Sequence, residues 1–196
     1  MGRIVVFMSL TLDGVMQAPG RSDEDRRGGF EHGGWAAPYA EPGIGKAASA
    51  SMKNTGALLL GRRTYEDFYS VWVNRADNPF TEILNNAQKY VASTTLKEPL
   101  PWINSTLIKG NVAEAVAQLR AQSSKDIVIL GSGVLVRSLM RHNLIDEYTL
   151  LIHPLALGAG QRLFVERGEF MKLQLVNAEP SSTGVMVTTY RPDKTV

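Results

Sequence analysis

Short apolar runs of strand length recur along this chain, and most of them give way to a helical pattern before the next begins. The runs are Ile4 to Leu12, Ala57 to Leu60, Lys89 to Ser93, Thr106 to Lys109, Ile127 to Leu130 and Glu147 to His153. The intervening helical patterns cover Ile44 to Asn54, Arg62 to Tyr69, Asn111 to Gln122 and Val134 to Arg141. Parallel neighbours cannot be joined by a tight hairpin, so helices that carry the chain back predict a largely parallel sheet. The central runs are continuously apolar rather than alternating, as expected of strands covered on both faces. The end of the chain differs. Lys172 to Ala178 and Val185 to Tyr190 alternate around a Pro180–Gly184 turn, which reads as an antiparallel hairpin. The helix at Asn111 is marked at its start, because Asn111 is an N-cap residue and Glu114 follows three positions on.

Composition narrows the class of function. The 196 residues are 44% hydrophobic and 20% charged, with a net charge of +2, as in an ordinary globular domain. There is no cysteine, so disulfides, thiolate metal sites, iron–sulfur clusters and cysteine nucleophiles are absent. A cysteine-free chain suits a reducing cytoplasm. No apolar stretch approaches the ~18 residues of a membrane span, and no block of like charge points to nucleic acid. No interior segment looks like a linker, so residues 1–196 are expected to form a single domain.

Two strand-to-helix junctions share one design. Leu58-Leu59-Leu60 runs into Gly61-Arg62-Arg63-Thr64, and Ile127-Val128-Ile129-Leu130 runs into Gly131-Ser132-Gly133-Val134-Leu135. At such junctions the free N–H groups of a helix start face outward and, with the helix dipole, can hold an anion. Arg62 and Arg63 add guanidinium groups, which bind phosphate bidentately. Glycine there either tightens a turn or lets a phosphate approach, and the residues alone leave both readings open. Neither junction matches the dinucleotide-fold glycine pattern, since Val136 replaces its third glycine, and neither is a P-loop.

Other candidates are isolated. Gln17 to Gly45 is a long segment rich in glycine, proline and charge, of the kind that forms lids or mobile loops. Trp35 and Tyr39 within it either pack the loop down or line a ligand pocket. Asp13, after the first strand, either caps a turn or belongs to a site. Asp23-Glu24-Asp25 beside Arg26-Arg27 reads as a solvated, self-paired loop. His32, His142 and His153 lack metal-ligand spacing, so no metal site is expected.

Taken together, Ser9-Leu10-Thr11-Leu12-Asp13-Gly14, Leu60-Gly61-Arg62-Arg63-Thr64-Tyr65, Val91-Ala92-Ser93-Thr94, Ile129-Leu130-Gly131-Ser132-Gly133, Leu144-Ile145-Asp146-Glu147 and His153-Pro154-Leu155-Ala156-Leu157-Gly158 resemble the dihydrofolate-reductase-like superfamily. Within it they look most like the reductase domain of bacterial riboflavin biosynthesis. The resemblance implies an α/β, three-layer fold with a mostly parallel central sheet and an antiparallel C-terminal strand. It implies an NADPH-dependent reductase of a small heterocycle, similar to 5-amino-6-(5-phosphoribosylamino)uracil reductase, in a cytoplasmic homodimer. Carried over by position, Gly61, Arg62, Arg63 and Thr64 hold the adenosine side and pyrophosphate, with Arg62 on the 2′-phosphate beside Ser93 and Thr94. Gly131, Ser132, Gly133, Val134 and Leu135 hold the pyrophosphate and nicotinamide side, and Ser9 and Met16 face the nicotinamide. Trp35 and Tyr39 become substrate contacts, and Asp13 the proton relay. Leu130 stands where those reductases carry an acid, and residues 45–48 carry none. The missing acids motivate the alternative of a non-catalytic nucleotide-binding or assembly role on the same fold; dihydrofolate reduction is a further alternative, against which the acid-free residues 45–48 count.

Overall fold

The computed structural model describes residues 1–45, 52–76, 78–165 and 170–193. Most of the helix expected from Ile44 to Asn54 lies outside them. The strands are β1 (Ile4–Thr11), β2 (Thr55–Gly61), β3 (Gln88–Ala92), β4 (Ser105–Ile108), β5 (Asp126–Leu130), β6 (Glu147–His153), β7 (Leu173–Pro180) and β8 (Met186–Pro192). The helices are α1 (Arg62–Trp72), α2 (Pro79–Asn86), α3 (Val112–Gln122) and α4 (Gly133–Met140). The chain divides into two compact units, one of residues 1–4 and 54–144, the other of residues 5–53 and 145–196.

In the first unit β3 pairs with β4, and β2 lies between β3 and β5, every pair parallel. The apolar runs explain the burial: Leu58, Leu59 and Leu60 of β2 are fully buried, and every residue of β5 is buried. Two of the helices, α2 and α3, start at a capping asparagine. Asn111 Oδ1 accepts from the N–H groups of Ala113 and Glu114, and its amide donates to Glu114 Oε1 at 2.8 Å. Helix α2 is absent from the sequence-based expectations. Asn78 caps it by accepting from Phe80 N–H, and Pro79 occupies its first turn, where a missing N–H costs nothing. Its end is held by Lys89, which is wholly buried on β3 and donates to the carbonyls of Leu84, Asn85 and Ala87. Those are the carbonyls a helix end leaves without partners. Trp102, also buried, stacks over the Lys89 ammonium at 4.6 Å and receives Tyr65 of α1 against its ring.

In the second unit β1 runs parallel to β6, with Val5 opposite Glu147 and Thr11 opposite His153. Strand β8 is antiparallel to both β6 and β7, so it is the one reversed strand of the set. The expected hairpin is therefore present. The glycine-rich segment after β1 is built around its own small core of Val15, Ala18, Phe30 and Trp35. Gln17 staples it: its Nε2 donates to the carbonyls of Asp25 and Arg27, and its Oε1 accepts from Gln161 N–H. The acidic and basic run pairs with itself at the surface, Arg27 with Asp25 and Arg21 with Asp23.

Candidate functional site

In the first unit the two glycine junctions are bonded to each other. Gly61 N–H donates to Ser132 Oγ at 2.9 Å, and Ser132 N–H donates to Thr64 Oγ1 at 3.1 Å. A side chain at Gly61 would stand 3.7 Å from the Ser132 side chain, and one at Gly131 would stand 3.5 Å from Thr64. So the near side of each glycine is occupied by the opposite junction. The hydroxyls of Thr64 and Ser132, expected on a pyrophosphate, have a prior task in clamping the two helix starts. Gly131 and Ser132 both take left-handed backbone angles, which turn the chain sharply from β5 into α4.

What this clamp presents is a pair of helix starts with no acidic residue in either first turn and no side-chain cap. Their first N–H groups have no partner inside the helix. Arg62 is half-buried and paired with Glu66 at 3.1 Å across one helical turn, and Arg63 is exposed. Ser93, just past β3, accepts from Thr95 and Leu96 N–H and so turns the chain there, while Thr94 is exposed. Val134 is exposed and Leu135 is buried. Gly61, Arg62, Arg63 and Thr64 are thus brought against Gly131, Ser132, Gly133 and Leu135. The donor set fits a dinucleotide's phosphates through backbone N–H groups and two arginines.

The second unit holds the remaining expected residues. Ser9 is half-buried within β1, and Met16 N–H donates to Gln161 O. Asp13 is a knot. Its carboxylate accepts from Thr11 Oγ1 at 2.5 Å, Leu157 N–H at 3.1 Å, Gly158 N–H at 2.8 Å and Arg162 at 3.1 Å. The Thr11 hydroxyl, then the two backbone donors and Arg162, hold this carboxyl far below the usual carboxylate range against the opposing effect of burial. These bonds tie the turn after β1 to the segment from Leu157 to Arg162.

Trp35 is buried in the loop core and donates its indole N–H to Gln17 O at 2.7 Å. Tyr39 is half-buried. Both rings meet the imidazole of His153 edge to face, at centroid distances of 5.1 Å and 5.5 Å. His153 ends β6 and is buried, and sequence reasoning passes over it because its spacing to the other histidines carries no signal. Among the described residues no cluster of His, Asp or Glu is arranged to hold a metal, and no helix is long and apolar enough to cross a membrane.

A largely parallel sheet with one reversed C-terminal strand, flanked by helices, defines a dihydrofolate-reductase-like α/β protein. Residues 3–187 match the family model of the RibD C-terminal domain, and the chain belongs to that family. It is 28% identical over 193 residues to the uncharacterized protein YyaP of Bacillus subtilis (strain 168), covering 96% of this chain and 94% of that one. Among solved structures, a riboflavin biosynthesis protein so described from Shewanella sp. PV-4 superposes with a TM-score of 0.70 at 22% identity, over 98% of this chain and 99% of that one. A pyrimidine reductase-like protein from Corynebacterium diphtheriae gives 0.69 at 12% identity, over 98% and 92%. Dihydrofolate reductase from Enterococcus faecalis, complexed with NADP(H) and RAB-propyl, gives 0.61 at 17% identity, over 98% of both chains.

Proposed function

We propose that this chain is an NADPH-dependent reductase of a small heterocyclic substrate, of the kind that acts on the ribosylaminopyrimidine of riboflavin biosynthesis. The observation that carries the reading is the clamp of Gly61, Thr64 and Ser132, which sets two uncapped, acid-free helix starts together beside Arg62 and Arg63. NADPH, when bound, supplies the hydride. The chain's part is to hold and orient. Backbone N–H groups at the starts of α1 and α4 take the pyrophosphate, with Arg63 adding charge. Arg62 reads the 2′-phosphate, with Ser93 and Thr94 beside it. Freeing Arg62 from Glu66 costs little, because an exposed pair one turn apart contributes only about 0.3–0.5 kcal/mol. Gly133, Val134 and Leu135 line the same helix start. Ser9 and Met16 are assigned to the nicotinamide, and Trp35 and Tyr39 to the substrate. The reading extends to a homodimer, supported by β7, an edge strand exposed almost throughout with Leu175 and Val176 on its surface.

The test is Arg62→Ala, with NADPH and NADH each titrated by fluorescence. Loss of a charge-assisted contact is expected to weaken NADPH by roughly 1.5–3 kcal/mol and leave NADH unchanged. Equal loss for both cofactors would remove Arg62 from the 2′-phosphate. Turnover against pterins and ribosylaminopyrimidines completes it, since tight NADPH binding with no turnover on any of them favours the non-catalytic alternative.

A further inference from the structure

The pairing of β7 with β8 sorts the residues of β7 by chemistry. Leu173, Leu175 and Ala178 lie opposite Pro192, Tyr190 and Thr188, while Gln174, Asn177 and Glu179 lie opposite Arg191, Thr189 and Val187. Val176 has no opposite number, so the register slips there by one residue. Directly opposed residues share a face of the sheet, and neighbours along a strand alternate between faces. The slip therefore gathers Leu173, Leu175 and Ala178 on one face and Gln174, Asn177 and Glu179 on the other. Lys172 falls on the second face, where its ammonium pairs with Asp193 at 3.1 Å. Apart from the half-buried Leu173 all of these β7 residues are exposed, and so is Val176.

Taken outward from the point between Leu175 and Val176, this strand is its own complement. Laid antiparallel on a second copy about a two-fold axis through that point, Leu175 meets Val176, Gln174 meets Asn177, Leu173 meets Ala178 and Lys172 meets Glu179. Apolar residues face apolar ones, amides face amides, and opposite charges meet at both ends. Moving the centre by one residue sets Lys172 against Ala178 or Pro180, and Leu173 against Asn177 or Glu179. The backbone selects the same centre. In an unbroken strand the outward N–H groups recur at every second residue, so a strand that pairs with itself is centred on a residue. The one-residue slip reverses that alternation, so pairing across it is centred between two residues. Bulges and charges ordinarily blunt an edge strand. Here the bulge fixes a register and the charges are of opposite sign, so neither repels an identical strand.

We propose that β7 is the contact strand of a symmetric dimer, paired antiparallel with β7 of a second copy in this register. The proposal rests on the homodimer of the reading above and adds its face, its register and its charge pair. The Lys172 side chain is 57% exposed despite its pair with Asp193, so its ammonium can also meet a carboxylate from outside. Such exposed ion pairs add little affinity; they suppress wrong registers.

The experiment follows the mass of the full chain by sedimentation over a range of concentrations. The native protein is expected to be a dimer. Glu179→Lys sets lysine against Lys172 at both ends and should weaken the dimer roughly tenfold. Adding Lys172→Glu restores opposite charges and should recover much of that loss, which no separate structural role of either residue explains. The chain has no cysteine, so added thiols report on register without background. Leu173→Cys combined with Ala178→Cys should give a disulfide-linked dimer under mild oxidation, and neither alone should. Like positions are then five residues out of step, about 17 Å at ~3.4 Å per residue, beyond the reach of a disulfide. Thermal melts check that each variant is folded. A dimer that Glu179→Lys does not weaken, or that the cysteine pair does not link, joins through another face or register and overturns this inference alone. A native chain that is monomeric at every concentration overturns it together with the homodimer. NADPH titration of the same samples tests the cofactor reading separately, since Arg62, Arg63 and the two helix starts are untouched.

Discussion

Replacing Asp13 by asparagine tests whether this residue builds the turn or serves the chemistry. Oδ2 accepts from Gly158 N–H at 2.8 Å and Arg162 at 3.1 Å, and Oδ1 accepts from Thr11 Oγ1 at 2.5 Å and Leu157 N–H at 3.1 Å. A side-chain amide offers one acceptor oxygen and one donor NH₂, so whichever way it faces, one backbone N–H meets the NH₂ group. Thr11 cannot compensate freely, because its oxygen already accepts from Val15 N–H at 2.9 Å. Leaving a donor unmatched costs about 1–3 kcal/mol, and the half-exposed Arg162 pair adds at most about 1 kcal/mol. The sum is about 1–4 kcal/mol at neutral pH, or a melting point lower by roughly 2–16 °C in a chain of this size. The dependence on pH has a definite sign. The folded carboxyl lies far below its ordinary value of about 3.9, so its contribution is fully present above that pH and is lost as acid protonates it. The gap between the two proteins in urea unfolding should therefore be wide at neutral pH and narrow in strong acid. Unchanged stability with abolished turnover would refute this reasoning and return Asp13 to the proton-relay role.

Lys89→Met should cost about 2–4 kcal/mol in urea unfolding, since three carbonyls at and just beyond the end of α2 lose a charged donor. Burial pushes the Lys89 ammonium down to about 8, so the native protein should gain stability relative to the variant as pH rises from about 8 toward about 10. Gly160→Ala should destabilise well beyond Gly158→Ala in thermal melts. A side chain at Gly160 would stand 2.8 Å from Phe30 and Val15, whereas one at Gly158 meets nothing within 4 Å, so only the backbone cost of about 1 kcal/mol remains there.

The parallel strands are legible in the sequence because burial on both faces writes continuous apolar runs, and the terminal hairpin is legible from the Pro180–Gly184 turn between two alternating runs, although β7 is exposed almost throughout. Helix α2 escapes sequence reading for a local reason. At eight residues it is too short to show a period, although Asn78-Pro79 carries both a cap and a first-turn proline. Lys89 escapes for a different one. A lysine in a strand reads as a solvent-facing residue until the carbonyls of the preceding helix are seen to surround its ammonium. His153 needs the register of β1 on β6, which sets it beside Leu10 across a separation of 143 residues. No spacing rule reaches that far.

The junctions show most clearly where reading residues stops. Two glycine turns with hydroxyl residues look alike in sequence, and both suggest phosphate. What the sequence does not contain is that the hydroxyls and glycines face each other, with Ser132 N–H on Thr64 across 68 residues. Once those groups are committed to one another, any anion must be held by what is left, namely the remaining helix-start N–H groups, Arg62 and Arg63. Backbone N–H groups do not distinguish NADPH from NADH, because both carry the same pyrophosphate. On the proposed reading, discrimination therefore falls on the arginines. The clamp thus separates two effects that would otherwise be confounded. Disturbing Thr64 or Ser132 should weaken both cofactors together by misaligning the helix starts, and removing Arg62 should weaken NADPH alone.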